Sequence, residues 1–197
     1  MASQALESWQ VQRALRLDEL VHAHGLVGGS GPGRRWRTDA LNEAMALRLA
    51  AEFQGFARDL HDLACDVFAA WVAPSVPGAE AVVRDSLKQG RDLDRGNAHP
   101  GSIGKDFGRF RIDVWPALAA RDATTAAHNR TLDRLNRARN AVAHSDDAVV
   151  AGLRSEGFPL TLRTFRSWRR DLDRLADNLD AEIAQQLGRL FGRAAPW

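Results

Sequence analysis

Apolar residues recur at intervals of three and four along most of this chain, and no stretch shows sustained alternation of apolar and polar positions. That periodicity marks helix faces rather than half-buried strands. The longest such segment, about Thr38 to Val72, aligns Leu41, Met45, Leu49, Phe53, Phe56, Leu60, Leu63, Val67 and Trp71 into one core-facing stripe. A last helix is predicted over about Arg163 to Phe191, with Leu172, Leu175, Leu179, Ile183, Leu187 and Leu190 on its buried side. A first helix, about Ala2 to His24, places Leu6, Val11, Leu15, Leu20 and Val21 near helical spacing. Gly28-Gly29-Ser30-Gly31-Pro32-Gly33 then acts as a hinge or flexible loop, and Pro74 to Gly78 ends the second helix. Further helices are expected over about Ala79 to Gln89, Phe107 to Ala120 (limited by Pro116), and Asp122 or Thr124 to His144, where Ser145-Asp146-Asp147 stops the pattern. Residues 90–105 read as an ordered loop, and Asp147 to Leu162 as a loop or short extended piece. The expected fold is all-α: one domain over residues 1–197, a bundle of four or five main helices with short accessory helices and an ordered middle loop.

Composition removes several classes. With 197 residues, 45% hydrophobic and 26% charged, the bulk of the chain is neither disordered, collagenous nor a coiled-coil rod. A single cysteine, Cys65, excludes an intrachain disulfide and a multi-cysteine zinc site. The first ten residues lack the basic start and apolar run of a signal peptide, and Leu63 to Val76 is interrupted by Asp66 and Pro74. A cytoplasmic setting without a membrane partner is the expectation. Net charge is only +2, yet Lys88 and Lys105 are the only lysines, so arginine carries nearly all the positive charge. Codon bias in a GC-rich genome and phosphate recognition by planar guanidinium forks both fit that usage. Arg169/Asp173, Arg170/Asp171 and Arg174/Asp177 read as a solvated face of the last helix.

Several familiar chemistries find no footing. Gly104-Lys105 is followed by Asp106, which rejects a phosphate loop of the Walker type. There is no Gly-x-Ser-x-Gly and no His-Glu-x-x-His. His22 and His24 would point about 200° apart on a helix, poor for one metal. His61, with Asp62, Cys65 and Asp66, reads as helix surface, whereas Cys65 lies near the apolar stripe and reads as core. Arg34-Arg35-Trp36-Arg37 reads as a solvated helix start with a core Trp or as an RNA clamp, and the 90–105 loop as a lid or inert surface. No metal and no cofactor are expected.

The informative stretch is residues 129–144. On a wheel of about 100° per residue, Leu132, Leu135, Ala138, Val142 and Ala143 form one apolar arc, with Arg139 near its middle. Asn129, Asn136, Asn140 and His144 make a polar stripe beside it. A cation in an apolar face is costly unless it is paired or faces a wet cleft. Either Arg139 pairs with an acid such as Glu52 or Asp59, or it looks with His144 into a shared cleft. Asn140 lies about 40° from His144, and Arg139 about 140° away. Arg139 and His144 therefore converge poorly from one straight helix, unless a second copy across a two-fold axis completes the geometry.

Arg139-Asn140-Ala141-Val142-Ala143-His144 resembles the signature of the HEPN superfamily: an Arg with a polar neighbour, then a His after a short gap at the end of a bundle helix. Arg16 and His22 share a similar gap but lack the polar neighbour, and Arg121 precedes the helix that carries His128. Ala51-Glu52-Phe53-Gln54-Gly55-Phe56, Leu93-Asp94-Arg95-Gly96-Asn97 and Ser167-Trp168-Arg169-Arg170-Asp171-Leu172-Asp173 extend the likeness toward the RiboL-PSP-HEPN branch. The resemblance implies a HEPN-like helical fold and a metal-independent endoribonuclease of toxin or defence type, cutting RNA by 2′-hydroxyl attack at a composite homodimer site. The implied catalytic residues are Arg139, His144 and Asn140, with Asn136 and Arg137 contacting RNA. An antitoxin or nucleotidyltransferase partner would fit such a protein. The alternative is a non-catalytic HEPN module that binds nucleotide or a partner protein.

Overall fold

Helix formation follows the apolar periodicity, and the ends follow local capping. The computed structural model describes residues 1–28, 35–74, 76 and 78–197, with side chains at all of these except 28 and 35–37. Residues 29–33 of the glycine-rich hinge and the Arg34 to Arg37 cluster's side chains lie outside the described residues. Helix α1 (Gln4–Ser8) is capped by the Ser3 hydroxyl, which accepts from the Leu6 amide. It continues through a π-helical turn (Trp9–Arg13) into α2 (Ala14–Gly28). Helix α3 (Arg35–Val72) is the longest. Then come α4 (Ala79–Lys88), α5 (Asp92–Arg95), α6 (Pro100–Phe107), a 3-10 turn (Gly108–Phe110), α7 (Val114–Arg121), α8 (Thr125–Ala143), α9 (Asp147–Ser155) and α10 (Leu162–Phe191). Among the described residues there is no strand, as the sequence predicts.

Helix α3 occupies the centre, packed against α2, α4, α8 and α10. Met45, Leu49, Phe53, Phe56 and Leu60 are fully buried and share one core with Leu132 and Leu135 of α8 and Leu172, Leu175, Leu179, Ile183 and Leu187 of α10. Each such side chain stabilises the fold by about 1.5–3 kcal/mol through removal from water. Leu41, Leu63, Val67 and Trp71 are only half-buried.

Four expectations need correction. Residues 90–105 are not a loop throughout: Asp92–Arg95 and Pro100–Phe107 are helical, the second started by His99 capping and a proline in its first turn. The expected 107–120 helix is broken at Arg111, which adopts left-handed φ 63° after the 3-10 turn. Asp147 to Leu162 begins as a helix, because Asp146 accepts from the Val149 amide and caps it. In the first helix Val11 and Leu15 are exposed, while Trp9 and Leu17 are buried. The π turn adds a residue per turn and so rotates the wheel that a regular helix would present.

The acids of α10 also depart from expectation. Asp173 accepts from the Trp9 indole at 3.0 Å, Asp171 from the Thr131 hydroxyl at 2.6 Å, and Arg169 pairs with Asp18 of α2. These contacts tie α10 to the π turn, α8 and α2, while Arg170, Arg174 and Asp177 stay exposed as the sequence predicts. No helix among the described residues is long and apolar enough to cross a membrane.

Candidate functional site

The end of α8 is shaped by the turn that follows it. The Asp146 amide donates to Ala141 carbonyl (2.8 Å) and the Ser145 amide to Val142 carbonyl (3.3 Å), with Ser145 left-handed at φ 55°. This is a Schellman closure in which Ser holds the position that Gly usually fills. His144 is the exposed residue immediately before it and has left helical geometry, with φ −110° and ψ 7°. The strained residue therefore sits beside the imidazole, and Asp146 at once starts α9.

Arg139 emanates from the buried side of α8, one turn before the helix leaves the core. It is half-buried, and its guanidinium donates to the side-chain oxygen Oδ1 of Asn140 at 3.0 Å. Among the described residues it has no acidic partner. The expected pairing with Glu52 or Asp59 does not occur: Glu52 holds Arg13, Arg16 and Arg48, and Asp59 holds Arg13. Asn140 Oδ1 also accepts from Asn97 Nδ2 at 2.7 Å. Asn140 is thereby turned toward the 96–99 segment rather than toward His144.

These groups line an open hollow of about 400 Å³ bounded by Gln54, Asp94, Arg95, Gly96, Asn97, Arg139 and Asn140. Gln54 of α3 donates to the Leu93 and Gly96 carbonyls at 3.0 and 2.6 Å and so fixes the segment opposite α8. Asp94 is held by Arg91 (2.7 Å) and Arg58 (3.2 Å). Its hydrogen bond from Arg91 holds the carboxyl below the usual range. Arg95 is exposed, with no acidic partner among the described residues. The hollow is therefore lined by two arginines, Arg95 and Arg139, neither in a salt bridge among the described residues, by the Asp94 carboxylate that Arg91 and Arg58 already hold, and by amide groups from Asn97 and Asn140. Such a lining suits an anion that can accept several hydrogen bonds.

The five residues singled out from sequence divide. Arg139 and Asn140 line the hollow. His144 is at the same helix end but outside the lining. Asn136 is buried, and its amide donates to the Ala98 carbonyl (3.1 Å) and the Leu132 carbonyl (2.8 Å), so it anchors the wall of the hollow from beneath. Arg137 points to another face, forking onto Glu156 of α9 at 2.8 and 3.0 Å. That fork raises the Arg137 pKa and lowers that of Glu156. No protein-family model, curated protein or solved structure matches this chain.

Sequence reading did not single out Gln54, Arg95 or Asn97 as site residues, although each falls in a segment it quoted. Nothing local to Asn97 says that its partner lies in α8, far along the chain. His61, read as surface, is fully buried between Phe107 and Phe110. Burial, then the charge of Arg91, lowers its pKa to about 4. Cys65 is core as expected, and burial pushes its thiol up to about 12. Among the described residues no group of three His, Cys, Asp or Glu could hold a metal ion.

Proposed function

We propose that the protein is a metal-independent endoribonuclease of HEPN type, with a toxin or defence role in the cytoplasm, acting as a homodimer. The observation that carries this is Arg139: a cation rooted on the buried side of α8, without an acid partner among the described residues, opening into a hollow beside Asn140 at the helix end that bears His144. The stem of Arg139 crosses the apolar side of α8 and its guanidinium reaches the water of the hollow, where an anion can meet it. The likeness of residues 139–144 to the HEPN signature supports the same reading.

RNA supplies its own nucleophile. Loss of the 2′-hydroxyl proton lets that oxygen attack the adjacent phosphorus, and the 5′-oxygen leaves with a proton, giving a 2′,3′-cyclic phosphate and a 5′-hydroxyl. Arg139 and Arg95 hold the phosphate and stabilise its added charge. An imidazole near neutral pH can take one proton and return another. Because His144 lies outside the hollow of its own chain, the His144 that acts at each hollow comes from the second copy. Asn140 orients Arg139 and the RNA, while Asn136 positions the wall rather than touching substrate.

The test is RNA cleavage in excess EDTA by wild type, His144→Ala and Arg139→Ala, and by the two variants mixed. Each variant alone is expected to be inactive. Mixing restores about a quarter of wild-type activity, because heterodimers form in half the population and carry one intact site of two. Equal cleavage by wild type and His144→Ala, or cleavage that needs metal, overturns the mechanism. The exclusion of His144 from the hollow also favours a second reading, in which Arg139 and Arg95 hold a nucleotide phosphate without turnover. Nucleotide binding by wild type with no RNA cleavage distinguishes it.

A further inference from the structure

We propose that the outer face of the N-terminal half of α10 is a docking strip for the sugar-phosphate backbone of single-stranded RNA. Arg163, Arg166, Arg170 and Arg174 are all exposed there. At about 100° per residue they fall within an arc of about 80°, and they extend over about 16 Å of helix. Among the described residues none of the four has an acidic partner. The acids of the same stretch, Asp171, Asp173 and Asp177, accept from the neutral groups of Thr131, Trp9 and Gln10 and keep their charge, so residues 163–177 set five arginines against three carboxylates. Exposed arginines outside the strip, such as Arg111, Arg130, Arg154 and Arg189, also lack an acidic partner among the described residues, but they are scattered over separate elements rather than gathered on one helix face. The strip is therefore a local excess of charge in a chain whose net charge is only +2.

The chemistry of the strip selects its partner. The apolar side of this half of α10, including Phe165, Trp168 and Leu172, is buried in the core. No apolar wedge remains to enter a bilayer, and a protein partner would require an apolar centre that the strip lacks. A nucleic-acid backbone needs neither. Arg166, Arg170 and Arg174 follow one another at about 6 Å along the axis, comparable with neighbouring phosphates on a strand. The inference shares with the proposed cleavage only the nature of its ligand, and it does not depend on His144.

The test measures binding of fluorescent polyuridine oligonucleotide to the full chain in EDTA, on a His144→Ala background, across a salt series. One variant carries Arg163→Gln, Arg166→Gln, Arg170→Gln and Arg174→Gln. A control carries Arg111→Gln, Arg130→Gln, Arg154→Gln and Arg189→Gln, which removes equal charge from exposed arginines outside the strip. The slope of log affinity against log salt is expected to weaken by about 3 in the strip variant, the value for four lost single-strand phosphate contacts. The control keeps most of the parent slope, and circular dichroism verifies both folds. Equal slopes in the two variants, no RNA binding by the parent, or binding to anionic phosphatidylserine vesicles instead of RNA overturns the proposal. Salt-dependent RNA binding by a wild type that never cleaves would sink the catalytic reading and leave the strip standing.

Discussion

Arg139 is held by a relay of amides. Asn97 donates to Asn140, and the same Asn140 oxygen receives the Arg139 guanidinium. Removing the first donor leaves Arg139 in place but frees Asn140 to rotate. Asn97→Ala is therefore expected to cost little stability, about 1 kcal/mol or less for an exposed hydrogen bond. On the proposed mechanism it lowers RNA cleavage about tenfold, because small misplacement of a phosphate-binding group is expensive at the transition state. Thermal unfolding together with cleavage rate checks this, and an unchanged rate would remove the relay from the mechanism. The sequence shows Arg139 as an anomaly because a cation in an apolar arc is visible from periodicity alone. It does not show what the guanidinium meets. The wheel also extends helical geometry to His144, where the backbone has already left the helix. Asn136 carries the same polar stripe inward, and only packing reveals that its amide is occupied by the Ala98 and Leu132 carbonyls.

Between elements, the segment Glu52-Phe53-Gln54-Gly55-Phe56 shows how one turn and a half of α3 serves three neighbours. Phe53 and Phe56 face the core, where they meet Trp9 at 5.6 and 5.9 Å between ring centroids. Gln54 reaches the wall of the hollow. Glu52, nearly fully buried, draws Arg13 (2.8 Å), Arg16 (3.3 Å) and Arg48 (2.7 Å) together, binding the π turn and α2 to α3. Gly55 makes room: a Cβ there would collide with the Arg13 guanidinium. Glu52→Gln keeps the shape but leaves three guanidiniums around a neutral group. Loss of about 2–3 kcal/mol is expected, below the usual cost of a broken buried pair because Arg16 and Arg48 are half-exposed. Chemical denaturation checks it, and a loss under about 0.5 kcal/mol would mean that solvent already screens the cluster. The helices themselves were legible because their stripes are long. The short ones, α5, α6 and α9, were not: each offers too few turns for periodicity, and α5 has no capping side chain of its own, its Asp92 and Leu93 amides being met by Asp106 from beyond the next turn.

Across the whole molecule, one contribution to acid stability comes from a polar group that the core encloses. His61 lies among α3, α6 and the 3-10 turn, with its Nε2 at 3.2 Å from the Asp106 carbonyl and its Nδ1 at 3.3 Å from Arg91. Burial first, and the Arg91 charge second, bring its pKa to about 4 from an ordinary 6.5. Between those values the unfolded chain binds a proton that the folded one refuses, so stability falls as pH falls through that window. Above 6.5 both states are neutral and the effect vanishes. Below about 4 both are protonated and no further loss accrues. The full effect is about 3 kcal/mol from this side chain. The Asp106 and Asp62 carboxylates and the hydrogen bond to the Asp106 carbonyl act the other way and raise the pKa, but by less than burial and Arg91 lower it. His61→Gln removes the titration while keeping a polar group in the pocket. The variant is expected to be less stable at pH 7 yet to lose about 3 kcal/mol less than wild type between pH 6.5 and 4. Urea unfolding across that range decides it. Parallel stability curves for the two proteins would show that the acid limb arises from the carboxylate pairs on the surface and not from the enclosed imidazole.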